Sequence, residues 1–153
     1  MRLDNGMITT REIVEHRGAS AIVALLDLDQ VILVRQYRYA VSSELLEIPA
    51  GTLDPGEKPE DCARRELEEE TGYRCAEIKK MTECFVAPGY STEKIHIYLA
   101  KGLTKTTTRM EEDENISTES LPLKDALDKI RSGEIRDGKT IAGLYAAARM
   151  ITA

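Results

Sequence analysis

Residues 51–73, GTLDPGEKPEDCARRELEEETGY, narrow the fold more than any other part of the chain. Asp54-Pro55-Gly56 carries strong turn chemistry, so 51–56 reads as a loop. A helix follows over about 59–71. Pro59 suits the first helical position, Glu60 and Asp61 sit in the positive first turn, and Gly72 is a natural terminator, although Lys58 is a poor N-cap. Glu66, Glu69 and Glu70 stand at i, i+3 and i+4, so they share one face at Cβ separations of about 5–6 Å. Ala63 and Leu67 flank Glu70 on the helical wheel, while Arg64 and Glu68 point away, and the carboxylates therefore border the apolar stripe. Such crowding weakens a helix and raises carboxyl pKa values unless a cation neutralises it. Mg²⁺, which takes carboxylate, phosphate and water oxygens, would do so. A solvated acidic face is the plain alternative from the glutamates alone. The loop favours the cation: it brings the Ala50 carbonyl and Glu57 toward the first helical turns. Arg65, next to Glu69 on the wheel, can pair with Glu69 and Glu57 and hold them.

Strands are expected at 9–16, at 21–26 and 31–37 (a hairpin through Asp27 and Gln30), at 45–50, and at 76–86 and 94–101 with a turn at Pro88-Gly89. Residues 104–115 are polar, contain Glu111-Glu112-Asp113-Glu114, and read as a loop. Helices are expected at 123–131 and 139–151, the second with Ile141, Leu144, Tyr145 and Ala148 on one face. With 153 residues, 42% of them hydrophobic, the chain suits one domain over 1–153. The order of elements predicts an α/β (α+β) fold, an α/β/α sandwich around a mixed β-sheet.

A net charge of −6 and only seven aromatics, none of them Trp, argue against nucleic acid and anionic membrane as partners. No apolar stretch approaches the roughly 20 residues of a membrane span, and the first residues form no secretory apolar region. Cys62, Cys75 and Cys84 form no C-x-x-C pair, which points to a reduced, cytoplasmic setting. Cys62 reads as core filler, and His16 and His96, isolated on expected strands, as packing or surface residues. So acidic a chain repels a phosphorylated substrate unless something positive intervenes.

Gly51, Glu57, Arg65, Glu66, Leu67, Glu69, Glu70, Gly72 and Tyr73 fill every position of G-x5-E-x7-R-E-U-x-E-E-x-G-U, where U is a bulky apolar residue. This is the signature of the Nudix hydrolases, and the chain resembles that family. Nine specified positions at fixed spacing make a far stronger signal than a short motif. The resemblance implies metal-dependent hydrolysis of a nucleoside diphosphate linked to another moiety. Over roughly residues 11–150 the chain also resembles the ADP-ribose pyrophosphatases, through Val34-Arg35-Gln36-Tyr37-Arg38-Tyr39, Glu47-Ile48-Pro49-Ala50-Gly51, Pro88, the acidic loop, and Gly133 to Asp137 followed by Lys139-Thr140-Ile141. Members usually begin with some thirty further residues, two strands that are largely absent here.

By that resemblance, Glu66, Glu69, Glu70, the Ala50 carbonyl and Glu114 hold two or three Mg²⁺ ions with substrate, Mn²⁺ being the alternative. Glu112 orients or deprotonates the water, the two loop glutamates being open to exchange; Arg65 and Glu69 support catalysis. Arg38, Asp54 and Gly51 face the substrate, and a homodimer is a candidate assembly. The expected reaction is ADP-ribose to AMP and ribose 5-phosphate. GDP-mannose or another nucleotide sugar is the alternative substrate, and a non-catalytic metabolite sensor the alternative role, although no box carboxylate is eroded.

Overall fold

β1 (Ala19–Leu25) is buried along its whole length, and the rest of the sheet is arranged around it. The computed structural model describes residues 2–27, 29–106 and 116–151. β2 (Gln30–Arg38) pairs antiparallel with the second half of β1, and β3 (Ser43–Glu47) pairs antiparallel with β2. β4 (Ala50–Thr52) pairs with the first half of β1, Ala21 opposite Ala50. β5 (Tyr73–Phe85) and β6 (Lys94–Lys105) form a long antiparallel hairpin, and β6 lies parallel to β1 from Ala19↔Ile95 to Ala24↔Ala100. β7 (Ser117–Pro122) pairs antiparallel with β2. The sheet is therefore mixed, as expected.

Alternation along β1 assigns its two faces. Ala21, Val23 and Leu25 join Leu33, Ile48, Ile97 and the buried sides of α2 (Leu123–Ser132) and α3 (Gly138–Ile151) in one core. Ile22 and Ala24 join Ile32 and Tyr98 in a second core with Ala63 and Leu67 of α1 (Pro59–Thr71). One helix on one face and two on the other give the α/β/α sandwich. Gly143 lets α3 pack tightly against the core: a Cβ there would lie 2.9 Å from Ile48 Cδ1 and 3.1 Å from Val23 Cγ2.

α1 has the expected bounds, with Pro59 at its first position, no side-chain cap from Lys58, and Gly72 at φ 71° donating its N–H to the Glu68 carbonyl. Three expectations need correction. Residues 9–16 form no strand; Val14 makes an isolated bridge to Ser91, and Ile13 and Val14 stay exposed. The expected strand at 45–50 is broken at Ile48-Pro49 into β3 and β4, because Pro49 has no N–H for a ladder. The hairpin strands run past the expected 76–86 and 94–101, β5 starting at Tyr73 and β6 continuing through Thr104 and Lys105.

Candidate active site

β2 and β4 both pair with the edge of β1 that β6 leaves open, β2 from Ala24 onward and β4 up to Ala21. A cleft of about 830 Å³ lies in this region. Its walls include Arg38, Glu47, Ala50, Gly51, Glu66 and Glu70, together with Phe85 and Val86 from the end of β5 and Asp137 to Lys139 before and within α3. Of the residues singled out in the sequence, Arg38, Ala50, Gly51, Glu66 and Glu70 thus line one cleft. Arg65, Glu69 and Asp54 do not line it. Glu112 and Glu114 lie outside the described residues.

The box organises itself around Arg65. Its Nε and Nη2 donate to the two oxygens of Glu57 at 3.0 Å each, and its Nη1 donates to Glu66 Oε1 at 2.7 Å and Glu69 Oε2 at 2.9 Å. Planar, forked donors of this kind suit paired carboxylates better than an ammonium would. The Arg65 hydrogen bonds pull the Glu57 carboxyl down to about 2, and the three carboxylates raise the Arg65 guanidinium above its ordinary value. Glu70 is buried, and its Oε2 accepts the Ala50 N–H at 2.9 Å. Burial pushes the Cys62 thiol up to about 11, so it is an inert filler and not a nucleophile.

Gly51 proves to be a spacer. A Cβ there would overlap all three atoms of the Glu66 carboxyl group. The signature thus needs glycine so that the Glu66 carboxylate can lie against the backbone of β4. Asp54 sits in its turn with its N–H donating to Glu57 Oε2 at 3.0 Å, and its side chain, 71% exposed, lies 3.9 Å from Arg65. That geometry makes it a turn residue and gives no support to a substrate-side role.

Glu57, Glu66, Glu69 and Glu70 set four carboxylates against one guanidinium. This excess of hard oxygen donors beside a cleft suits a divalent cation. Among the described residues, no three acidic, His or Cys side chains converge into an assembled ion cage.

Three more residues line the cleft, Glu47, Asp137 and Lys139, which the sequence places in segments resembling the ADP-ribose pyrophosphatases and to which it assigns no role. Glu47 is the one signal that was open to sequence reading, an acid inside the apolar run Leu45-Leu46-Glu47-Ile48. His16, expected on a strand, instead precedes β1 at the cleft and accepts the Gly18 N–H on Nδ1 at 3.0 Å.

The profile of the NUDIX domain matches residues 15–144. The chain belongs to the Nudix family. Among its Nudix relatives, an ADP-ribose pyrophosphatase of Bacillus subtilis is 41% identical over 142 residues, covering 92% of this chain and 77% of the relative. A methanol dehydrogenase activator of Bacillus methanolicus is 41% identical over 143 residues with the same coverage. A GDP-mannose pyrophosphatase of Escherichia coli is 38% identical over 151 residues, covering 92% and 78%. A crystal structure of an ADP compounds hydrolase superposes with a TM-score of 0.85 at 26% identity, covering 99% of this chain and 82% of that one.

Proposed function

We propose that this Nudix enzyme hydrolyses the pyrophosphate bond of ADP-ribose, giving AMP and ribose 5-phosphate. The observation that carries the reading is the placement of Glu66 and Glu70, two glutamates of the complete box, on the wall of the cleft that also exposes Arg38. The volume of that cleft falls in the range for small-ligand sites, roughly 300–1,000 Å³. The 41% identity to an ADP-ribose pyrophosphatase supports this substrate over GDP-mannose.

Glu66, Glu69, Glu70 and the Ala50 carbonyl would hold divalent cations, with Glu114 as a further ligand. We read Mg²⁺ as the ion, two or three with substrate, and Mn²⁺ as its substitute. Bound ions of this kind acidify a coordinated water and offset charge on the phosphoryl oxygens. Arg65 keeps Glu66 and Glu69 aimed and spends none of its own charge on the substrate. Arg38 takes a phosphate oxygen, and Glu112 orients the attacking water or accepts its proton. Water attacks one phosphorus, the bridging oxygen leaves on the other phosphate, and no covalent enzyme intermediate forms.

Product analysis on ADP-ribose, GDP-mannose and dinucleoside polyphosphates, with Mg²⁺ and with EDTA, tests the reading. ADP-ribose should be cleaved fastest and only with metal. Preference for GDP-mannose would overturn the substrate, and full turnover in EDTA the site. Exposed Ile13, Val14, Tyr39 and Tyr90 support a homodimer, measurable by sedimentation, and three free cysteines support a cytoplasmic setting.

A further inference from the structure

Part of the cleft wall is a partly buried set of four charges, Arg38, Glu47, Asp137 and Lys139. Glu47 is 1% exposed at the end of β3. Its two oxygens accept Arg38 Nε at 2.9 Å and Nη2 at 2.7 Å, and Oε2 also accepts a hydrogen bond from Lys139 Nζ. Lys139 reaches Asp137 Oδ2 at 3.0 Å, and the same oxygen caps α3 by accepting the Thr140 N–H at 2.9 Å. Thr140 Oγ1 in turn accepts the Ile48 N–H at 2.9 Å. The start of α3 is thereby tied to the strand end that leads into Ala50 and Gly51.

Two cations balance two anions here, and the balance has a consequence for Arg38. Burial alone pushes the Glu47 carboxyl up; the Arg38 hydrogen bonds and the charge of Lys139 outweigh it and hold the group ionised, below the usual carboxylate range. A buried carboxylate facing Arg38 alone would cancel its charge. With Lys139 shared between Glu47 and Asp137, the four charges sum to zero and Arg38 faces no uncompensated carboxylate. Its side chain is 40% exposed at the cleft, and its Nη1 makes no hydrogen bond among the described residues.

We propose that Lys139 is a positioning residue: it keeps the four-charge set neutral, so that Arg38 can present its free Nη1 to an anionic ligand in the cleft with no uncompensated carboxylate beside it. It acts through Arg38 and does not touch the substrate. The proposal rests on the hydrolase reading for the identity of the anion, a diphosphate.

The test compares wild type, Lys139→Met and the double variant Lys139→Met/Glu47→Gln. KM and kcat are measured on ADP-ribose with Mg²⁺, and Kd for inorganic pyrophosphate by calorimetry. Lys139→Met should raise KM and Kd about tenfold or more with kcat within about threefold of wild type, the signature of lost binding without lost chemistry. The double variant, free of the uncompensated anion, should return both to within about threefold of wild type. Unchanged KM and Kd in folded Lys139→Met would overturn the proposal. If that variant fails to fold, the charge-balanced double variant decides, since tenfold weaker binding there also overturns it. A wild type that binds pyrophosphate but cleaves no nucleoside diphosphate refutes the substrate reading alone, and the Kd comparison still judges Lys139. A wild type that does neither refutes both.

Discussion

Gly51→Ala should separate activity from folding. The added methyl would occupy the space of the Glu66 carboxylate, and ordinary non-bonded separation is about 3.5 Å. The carboxylate must therefore retreat by more than about 1 Å. It can do so, because it is the far end of a flexible side chain and the backbone at Gly51 is not left-handed. The retreat breaks the 2.7 Å bond from Arg65 and forces an off-rotamer side chain, together about 1–3 kcal/mol. The stiffer unfolded chain returns about 0.4–1 kcal/mol. Net destabilisation is then at most about 2.6 kcal/mol, a fall of no more than about 10 °C in Tm for a chain of this size. A displacement of about 1 Å at a reacting centre costs about 100-fold in rate, so kcat should fall by about that factor. Steady-state kinetics with Mg²⁺ and a calorimetric melt read both. A kcat within about threefold of wild type would refute the reasoning. So would a Tm fall beyond about 15 °C, which would mean that the backbone and not Glu66 had yielded.

Glu70→Gln keeps helix propensity and an acceptor for the Ala50 N–H, so Tm should hold while kcat drops at least about 100-fold; an unchanged kcat would remove Glu70 from the ligand set. Glu57 has its folded pKa depressed to about 2 from 4.5, so its contribution is complete above about pH 4.5 and is lost as pH falls toward 2. Glu57→Gln should therefore be less stable than wild type at neutral pH and converge with it near pH 2 in acid denaturation; a constant gap across that window would contradict the assignment. Gly143→Val must push Ile48, Val23 or Ile97 aside and should cost about 1–3 kcal/mol in urea unfolding with kcat retained below the melt; no loss would mean that α3 can slide on the sheet.

What could be read from the residues divides along sequence distance. The box helix was legible because its signals are local: Pro59, the first-turn acids, Gly72, and three glutamates on one face. The pairing of Arg65 with Glu57 and Glu69 was within reach for the same reason. β7 was not seen, because Ser117 to Leu121 alternate no apolar residues and their order comes from the β2 edge. Ile13 and Val14 misled in the opposite sense, being strand formers with no sheet edge except Ser91 to join. The reason for Gly51 lies fifteen residues away in Glu66, so its spacing was visible and its purpose was not. Glu47 and Lys139, 92 positions apart, both fall in segments that resemble the ADP-ribose pyrophosphatases, but nothing in the sequence pairs them.

The parallel pairing of β1 with β6 sets the order in which the chain can assemble. Partners in these strands, such as Ala19 and Ile95, lie 76 positions apart, and α1 with its glutamates lies between the strands in sequence. Closing so long a loop carries an entropic cost before any contact rewards it, and non-local sheets of this kind fold in milliseconds to seconds. Part of the second core, Tyr98 and Ala100, arrives only with β6, whereas Ile22, Ala24 and Ile32 precede α1 in the chain. A chain leaving the ribosome can therefore make its box helix early but completes the core beneath it only when the β5–β6 hairpin has emerged. In stopped-flow refolding, helical signal should precede the recovery of hydrolysis.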